Sequence, residues 1–474
     1  MNQISKASFF IGILKHYSNH SPVFLLRVCI AFFRYKIFKD IFNKSYVITL
    51  LIDSIRKKMW KSGVSPDLRK LHDILDIYRS DDYLSPSSEE MIALIPIGRA
   101  GSMFLESLFD GHPNIFKLPG ILFGRFFSLK PPLSRGASIS DWLFKNFPEL
   151  EDLSVLKKLP YSHNPKIGYP DFGVGSVQLL QKYNIRSVFD DLYRSHGGIR
   201  SASLFVSMTQ AWEYSFGTKE KDSYDSSSKL FCHIHMPYDL EYFNFISAFP
   251  NLKVLHIVRN PLQGFESMMS LCVASRIGEI SSDVIFFDYV SCVDHFIGAL
   301  DIAACNPLSC VVSTVAVRLE DIKLNTDQTL IKVANWMGVK FHPCMLQETI
   351  GGYQFSPPST QGTKGFDSQN IKIKVGHFFS DHDQRVINLL TYPIAVNYGY
   401  REHDAEYLKS EVNWYKPIIY EPLDFEKKIL TDLAKMRFQG DIDAPRRRFI
   451  SIAKRCIKSL EQYGTYPAMV PWLN

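Results

Sequence analysis

The stretch Leu94–Phe116, LIPIGRAGSMFLESLFDGHPNIF, sets an apolar run against a glycine-bearing turn, then spaces apolar side chains at Phe104, Leu105 and Leu108 as a helix would. It predicts a strand over 91–98 that runs straight into a helix. Between them lie Gly98, Arg99, Ala100, Gly101 and Ser102. The two glycines let the backbone curl around an oxyanion, Ser102 adds a hydroxyl donor, and Arg99 adds a permanent positive charge with several donors in a fixed fork. Helix N-termini at the carboxyl ends of parallel strands are where anionic ligands collect, so the turn reads as a phosphate cradle. A plain strand-to-helix turn is the alternative these residues alone leave open. The four-residue gap followed by Gly-Lys-Ser/Thr is missing, which argues against a conventional ATPase or kinase.

Further along, KLFCHIHM (229–236), LKVLHIV (252–258) and CVVSTVAVRL (310–319) repeat the pattern of a short apolar run followed by a helix-like segment. Parallel strands need crossover connections and are buried on both faces, so this alternation predicts an α/β fold with a parallel sheet flanked by helices. Three zones follow. Residues 1–84 read as a helical N-terminal extension, 85–401 as the α/β domain, and 402–474 as a helical C-terminal extension carrying the basic amphipathic segment PRRRFISIAKRCIKSLEQYG.

With 474 residues, 46% of them hydrophobic and 22% charged, the chain has the composition of a globular protein with a sizeable core. The net charge of +6 suits anionic small molecules or a membrane surface and falls short of a nucleic-acid signature. Eight cysteines show no CxxC pair and no metal-like spacing, and several sit inside apolar runs. They read as reduced thiols in a reducing, cytoplasmic compartment. VFLLRVCIAFF is interrupted by Arg27 and YVITLLI ends at Asp53, so neither apolar run reaches the roughly 20 residues of a span. Peripheral contact of the aromatic, basic first 60 residues with a membrane is the competing reading to a helical pair packed on the domain.

A second stretch narrows the ligand. In LKVLHIVRNPLQGFESMM, Leu252–Met269, an apolar strand ends at Arg259, Pro261 stops it, and Ser267 follows two turns into the next helix. With the first loop, this resembles the sulfotransferases that use 3′-phosphoadenosine 5′-phosphosulfate (PAPS). In that family an early Arg/Lys-x-Gly-Ser/Thr loop grips the 5′-phosphosulfate. A strand ending in Arg-Asp/Asn-Pro, with a serine eight positions after the arginine, grips the 3′-phosphate. The resemblance covers about residues 91–401, through VVSTVAVRLEDI and FFSDHDQRVINLL…NYGY. It implies a P-loop-NTPase-like sheet, PAPS as cosubstrate with no metal, and a cofactor site made of Gly98, Arg99, Ala100, Gly101, Ser102, Met103, Arg259 and Ser267. Lys364 in QGTKGFD joins it as the counterpart of a basic-glycine loop that closes over the nucleotide. Met103 stands where many members have a Ser or Thr. Arg318, Glu320 and Asp321 match the family's Arg/Tyr-Glu-Asp element and read as loop-tying residues.

The resemblance also places a base. FCHIHMP, Phe231–Pro237, lies where members carry Lys-x-His-x-Pro. His235 occupies the histidine slot and is the expected base, with an imidazole suited to proton exchange near neutral pH. His233 stands where a lysine is common and is expected, with Arg99, to assist the sulfonate or leaving group. His112-Pro113 is followed by NIFKLPGILFGRFF with no acid, which favours a histidine over the glutamate some carbohydrate sulfotransferases use. The acceptor is expected to be a small molecule or glycan, recognised by the 113–229 insertion and the segment after Arg276. Nucleic acid is not expected as a partner. Composition leaves the oligomeric state open. A catalytically inactive nucleotide-binding or interaction protein of the same fold is the alternative.

Overall fold

The computed structural model describes residues 55–62, 87–97, 99–118, 126, 138–147, 150, 182–195, 201–234, 239–278, 280–304, 307–354, 366, 371, 375–438, 440–466 and 469–473. Gly98, His235, Lys364, most of the 1–84 extension and residues 151–181 of the insertion lie outside them.

Five parallel strands make the central sheet: β1 (Met91–Pro96), β2 (Ile115–Lys117), β3 (Lys229–His233), β4 (Lys253–Val258) and β5 (Ser313–Arg318). Their order is β2-β3-β1-β4-β5. The expected α/β class is therefore the observed one. β1 shows why its sequence is an unbroken apolar run. Met91, Ala93 and Ile95 enter the larger core, Ile92 and Leu94 the smaller one on the opposite face, and all five are at most 1% exposed. β2 was not among the expected strands. Its three residues are too few to show a period, and they are held by pairing with β3, Ile115 opposite Lys229 and Lys117 opposite Phe231.

The helices that frame the site are α1 (Ser102–Ser107), α2 (Ser201–Ser215), α3 (Pro261–Cys272), α4 (Ser282–Ala304), α5 (Leu319–Leu324) and α6 (Thr326–Met337). α1, α5 and α6 cover the smaller core, whereas α2, α3 and α4 cover the larger. Residues 402–474 supply α7 (Ala405–Tyr415), α8 (Asp424–Lys435) and α9 (Ala444–Tyr463), whose Val412, Ile429, Phe449 and Ile452 belong to the same larger core as β1. α9 is amphipathic as expected, but one arginine of its basic run turns inward. Arg446 pairs with Glu426 at 2.7 Å and donates to the Ile419 carbonyl at 3.2 Å. The chain end then covers the open edge of β5. Ala316 N–H donates to the Pro471 carbonyl and Leu473 N–H to the Ala316 carbonyl, both at 2.8 Å, so an exposed strand edge gains partners.

From β1 the chain moves to one side for β2 and β3, then crosses back over β1 to β4. The order of connections thus reverses at β1, and ligands of open parallel sheets collect at the carboxyl ends beside such a reversal. That end of β1 is where Arg99 begins the turn.

His256, on β4, is fully buried with Nδ1 3.0 Å from the Ile95 carbonyl, and burial lowers its pKa to about 4. The neutral ring donates to that carbonyl. Because its folded pKa lies below the unfolded 6.5, the unfolded chain binds the extra proton first. The contribution of His256 is present above pH 6.5 and lost as the pH falls towards 4. His256→Leu should remove that part of the acid sensitivity. The stability difference between wild type and variant, from urea unfolding at pH 7 and pH 4, should change by about 3 kcal/mol. A difference that stays constant across the window would rule the assignment out.

Candidate functional site

The first element is the turn after β1. Ile97 still pairs with the sheet, its N–H donating to the Ile257 carbonyl at 2.9 Å, and then the backbone leaves it. Gly101 adopts φ 81°, ψ 33° and caps α1. A Cβ there would stand 3.0 Å from Leu319 Cδ1 and force a left-handed conformation on an L side chain, so both sterics and backbone select glycine. No side chain caps α1. That suits a loop whose first-turn N–H groups serve a ligand. Ala100 is 1% exposed in the smaller core and offers only its backbone, whereas Arg99, Ser102 and Met103 are part-exposed.

The second element is the β4–α3 junction. Asn260 caps α3 by accepting from Gln263 N–H at 3.1 Å, and Pro261 occupies the first turn, where a missing N–H costs nothing. Arg259 donates from Nε to Gln263 Oε1 at 3.3 Å. Burial pushes its pKa down, the Glu320 carboxylate pulls it up, and the Arg99 charge pushes it down again. The guanidinium keeps its proton regardless. The two arginines expected to hold opposite ends of one nucleotide therefore lie close enough to repel. Backbone packing agrees: a Cβ on Gly264 would sit 3.9 Å from both Arg99 N and Arg99 O, so the first turn of α3 rests against the loop. Ser267, part-exposed, lies on the same helix as Gly264.

Glu320 fixes this junction. One oxygen accepts from Asn260 N–H at 3.1 Å, the other from Tyr400 O–H at 2.8 Å. Arg318 pairs with Asp321, donates to the Tyr398 carbonyl at 3.0 Å and stacks its guanidinium 4.4 Å from the Trp472 ring. Arg318, Glu320 and Asp321 are thus engaged in tying loops, as their sequence reading has it. Next to Ser267, Glu266 is 2% exposed and accepts from the N–H groups of Gly376, His377 and Phe378 at 2.9, 2.7 and 2.8 Å. It anchors the downstream end of the segment that contains Lys364.

The third element is the end of β3. His233 is 1% exposed and faces α1, with Nδ1 2.8 Å from Glu106 Oε2. Its imidazole is enclosed, so contact with a sulfonate is not what this placement offers. It ties the helix of the cradle to the strand that leads to His235. Glu106 does not stand out in the sequence because it precedes His112-Pro113 and lies inside the apolar FLESLF. Its signal was a lone carboxylate on the buried face of a six-residue helix. His112 is itself structural. Nε2 meets the Lys340 carbonyl at 2.8 Å, Nδ1 accepts from Asn114 N–H at 3.1 Å, and burial lowers its pKa to about 4.

The structure thus places Arg99–Met103 after the carboxyl end of β1 and Arg259 at that of β4, with the first turn of α3 against the loop, Ser267 further along α3, and His233 bonded to Glu106 of α1. Such a set can bind an anion with two charged forks and backbone amides. Among the described residues no group of three or more His, Cys, Asp or Glu could hold a metal ion, and no helix is long and apolar enough to cross a membrane.

No protein-family model matches the chain, and no curated protein matches it. The distantly similar solved structures include two sulfotransferase domains. The sulfotransferase domain from the curacin biosynthetic pathway is 14% identical, with 64% of this chain and 97% of that one covered and a TM-score of 0.37. The sulfotransferase domain from the Synechococcus PCC 7002 olefin synthase is 15% identical, with 62% and 90% covered and the same TM-score of 0.37. A likeness this distant carries no argument about activity, which has to come from the side chains.

Proposed function

We propose that the chain is a sulfotransferase that moves the sulfuryl group of PAPS to a hydroxyl or amine of a carbohydrate, lipid or other small acceptor. The observation that supports it most is the convergence of Arg99 and Arg259 from neighbouring strand ends. Two like charges held this close, one of them part-buried, are stabilised by an anion that bridges them. When bound, PAPS supplies an activated sulfuryl group on a phosphate leaving group. Arg99, with the backbone of Gly98–Met103 and the Ser102 hydroxyl, would hold its 5′ end and offset charge on the leaving phosphate. Arg259 and Ser267 would hold the 3′-phosphate, and Lys364 would approach from the segment anchored by Glu266. His235 would take the acceptor proton. His233, bonded to Glu106, would keep α1 and β3 in register and leave contact with the sulfonate to Arg99. No metal enters this scheme.

Arg259→Ala is the direct test. Loss of a charge-assisted contact is worth about 1.5–3 kcal/mol, on the order of tenfold to a hundredfold in affinity. By calorimetry the variant should lose that much for 3′,5′-ADP and far less for 5′-AMP, which lacks the 3′-phosphate. Equal losses for both nucleotides would remove Arg259 from the role. Wild-type binding of 3′,5′-ADP without sulfation of any member of an acceptor library, read by mass spectrometry, would favour an inactive nucleotide-binding protein of this fold.

A further inference from the structure

Behind the cradle, α3 and α4 bring two cysteines together. Cys272 ends α3 and is part-exposed, whereas Cys292, in the middle of α4, is buried. The Cys292 sulfur lies 3.9 Å from the Met268 carbonyl, one helical turn before Cys272 on the same face of α3. Each of the two thiols also shifts the pKa of the other. Around the pair stand Asp288, Arg276, which forms an ion pair with Asp288, and Arg99, whose charge acts on both sulfurs.

We propose that Cys272 and Cys292 form a redox-active dithiol, in which Cys272 is the thiol attacked by hydroperoxides and Cys292 is the resolving partner that closes an α3–α4 disulfide. The inference does not depend on sulfuryl transfer. The two sulfurs are made unequal by their surroundings. The neighbouring Cys292 thiol, followed by the Arg99 and Arg276 charges, lowers the pKa of Cys272 against the effect of burial, and the Cys272 thiol together with burial raises that of Cys292 well above the usual value. Cys310 and Cys344 are instead pushed up to about 11, chiefly by burial. Thiolate character and access together decide which cysteine a peroxide reaches, and Cys272 has both.

The steps balance. The Cys272 thiolate attacks one peroxide oxygen, the O–O bond breaks, and a sulfenic acid forms as hydroxide leaves and is protonated to water. The Cys292 sulfur then attacks the sulfenic sulfur, the S–O bond breaks, and the departing hydroxide takes the Cys292 proton as a second water. Two thiols are oxidised to a disulfide and one peroxide is reduced to two waters. The disulfide cannot ionise, so oxidation removes the thiolate form on which the Arg99 charge acts.

The test uses the full-length folded protein, one equivalent of hydrogen peroxide at pH 7, alkylation of remaining thiols and peptide mapping without reductant. The expected product is a Cys272–Cys292 linked peptide that dithiothreitol reverses. Iodoacetamide on the untreated protein should modify Cys272 at least tenfold faster than Cys310 or Cys344. In Cys292→Ser, dimedone should trap a sulfenic acid at Cys272. In Cys272→Ser, Cys292 should stay unmodified. Linkage of a different pair, peroxide sparing Cys272 in wild type, or equal alkylation rates would each overturn the proposal. The wild-type mapping stands even if a variant fails to fold.

Discussion

His235→Ala is expected to lower single-turnover sulfation by about 10²–10⁴-fold, the range a positioned general base contributes, and to leave 3′,5′-ADP affinity within about twofold. The split follows from division of labour. In the proposed scheme the nucleotide would be held by Arg99, Arg259, Ser267 and loop amides, which the substitution does not touch, whereas the acceptor proton would have to be removed as the oxygen or nitrogen approaches sulfur. Arg99→Ala should behave differently and damage both affinity and rate, because in the proposed scheme its charge would act on bound cosubstrate and on the leaving phosphate alike. Titration calorimetry and rapid-quench sulfation on the two variants, with thermal unfolding as a control, distinguish these patterns. A folded His235→Ala that turned over at the wild-type rate would send the search for a base to His163, Asp171 and His196 in the insertion.

What the sequence made legible was whatever a short window of side chains determines. β1, β3, β4 and β5 were readable because strands buried on both faces must be continuous apolar runs. The turn was readable because Gly101 has a conformation and a steric neighbour, Leu319, that only glycine tolerates. Arg259 and Ser267 are placed in the proposed site by their spacing alone. What escaped depends on residues far apart in the chain. β2 exists through its register with β3. Glu320 reaches back sixty residues to Asn260, and Glu266 forward 110–112 residues to three amides. His233 was legible as a strand histidine near the cradle, but not as the partner of Glu106, 127 residues earlier. A local pattern shows that a side chain faces inward; only the folded chain shows what it meets there.

The Glu106–His233 pair is the feature for which a large stability effect is expected. Both groups are enclosed, with side-chain exposures of 1% and 0%, and Glu106 also acts electrostatically on Lys117, itself buried and paired with Asp110 at 3.1 Å. Glu106→Ala would strand a ring nitrogen and weaken the surroundings of a buried ammonium at one stroke. Removing one partner of a buried pair costs about 3–5 kcal/mol, because the other group remains desolvated. Glu106→Gln keeps an acceptor for the ring N–H and should lose less. The double variant Glu106→Leu, His233→Leu removes both polar groups and should be destabilised by less than the sum of its single changes, with a coupling of about 1–3 kcal/mol from urea unfolding. Because Glu106 sits on the same six-residue helix that Gly101 caps, the single change should also weaken 3′,5′-ADP binding in the fraction that stays folded. Additive single changes would mean that the pair is incidental and that α1 is held by Phe104, Leu105 and the apolar face alone.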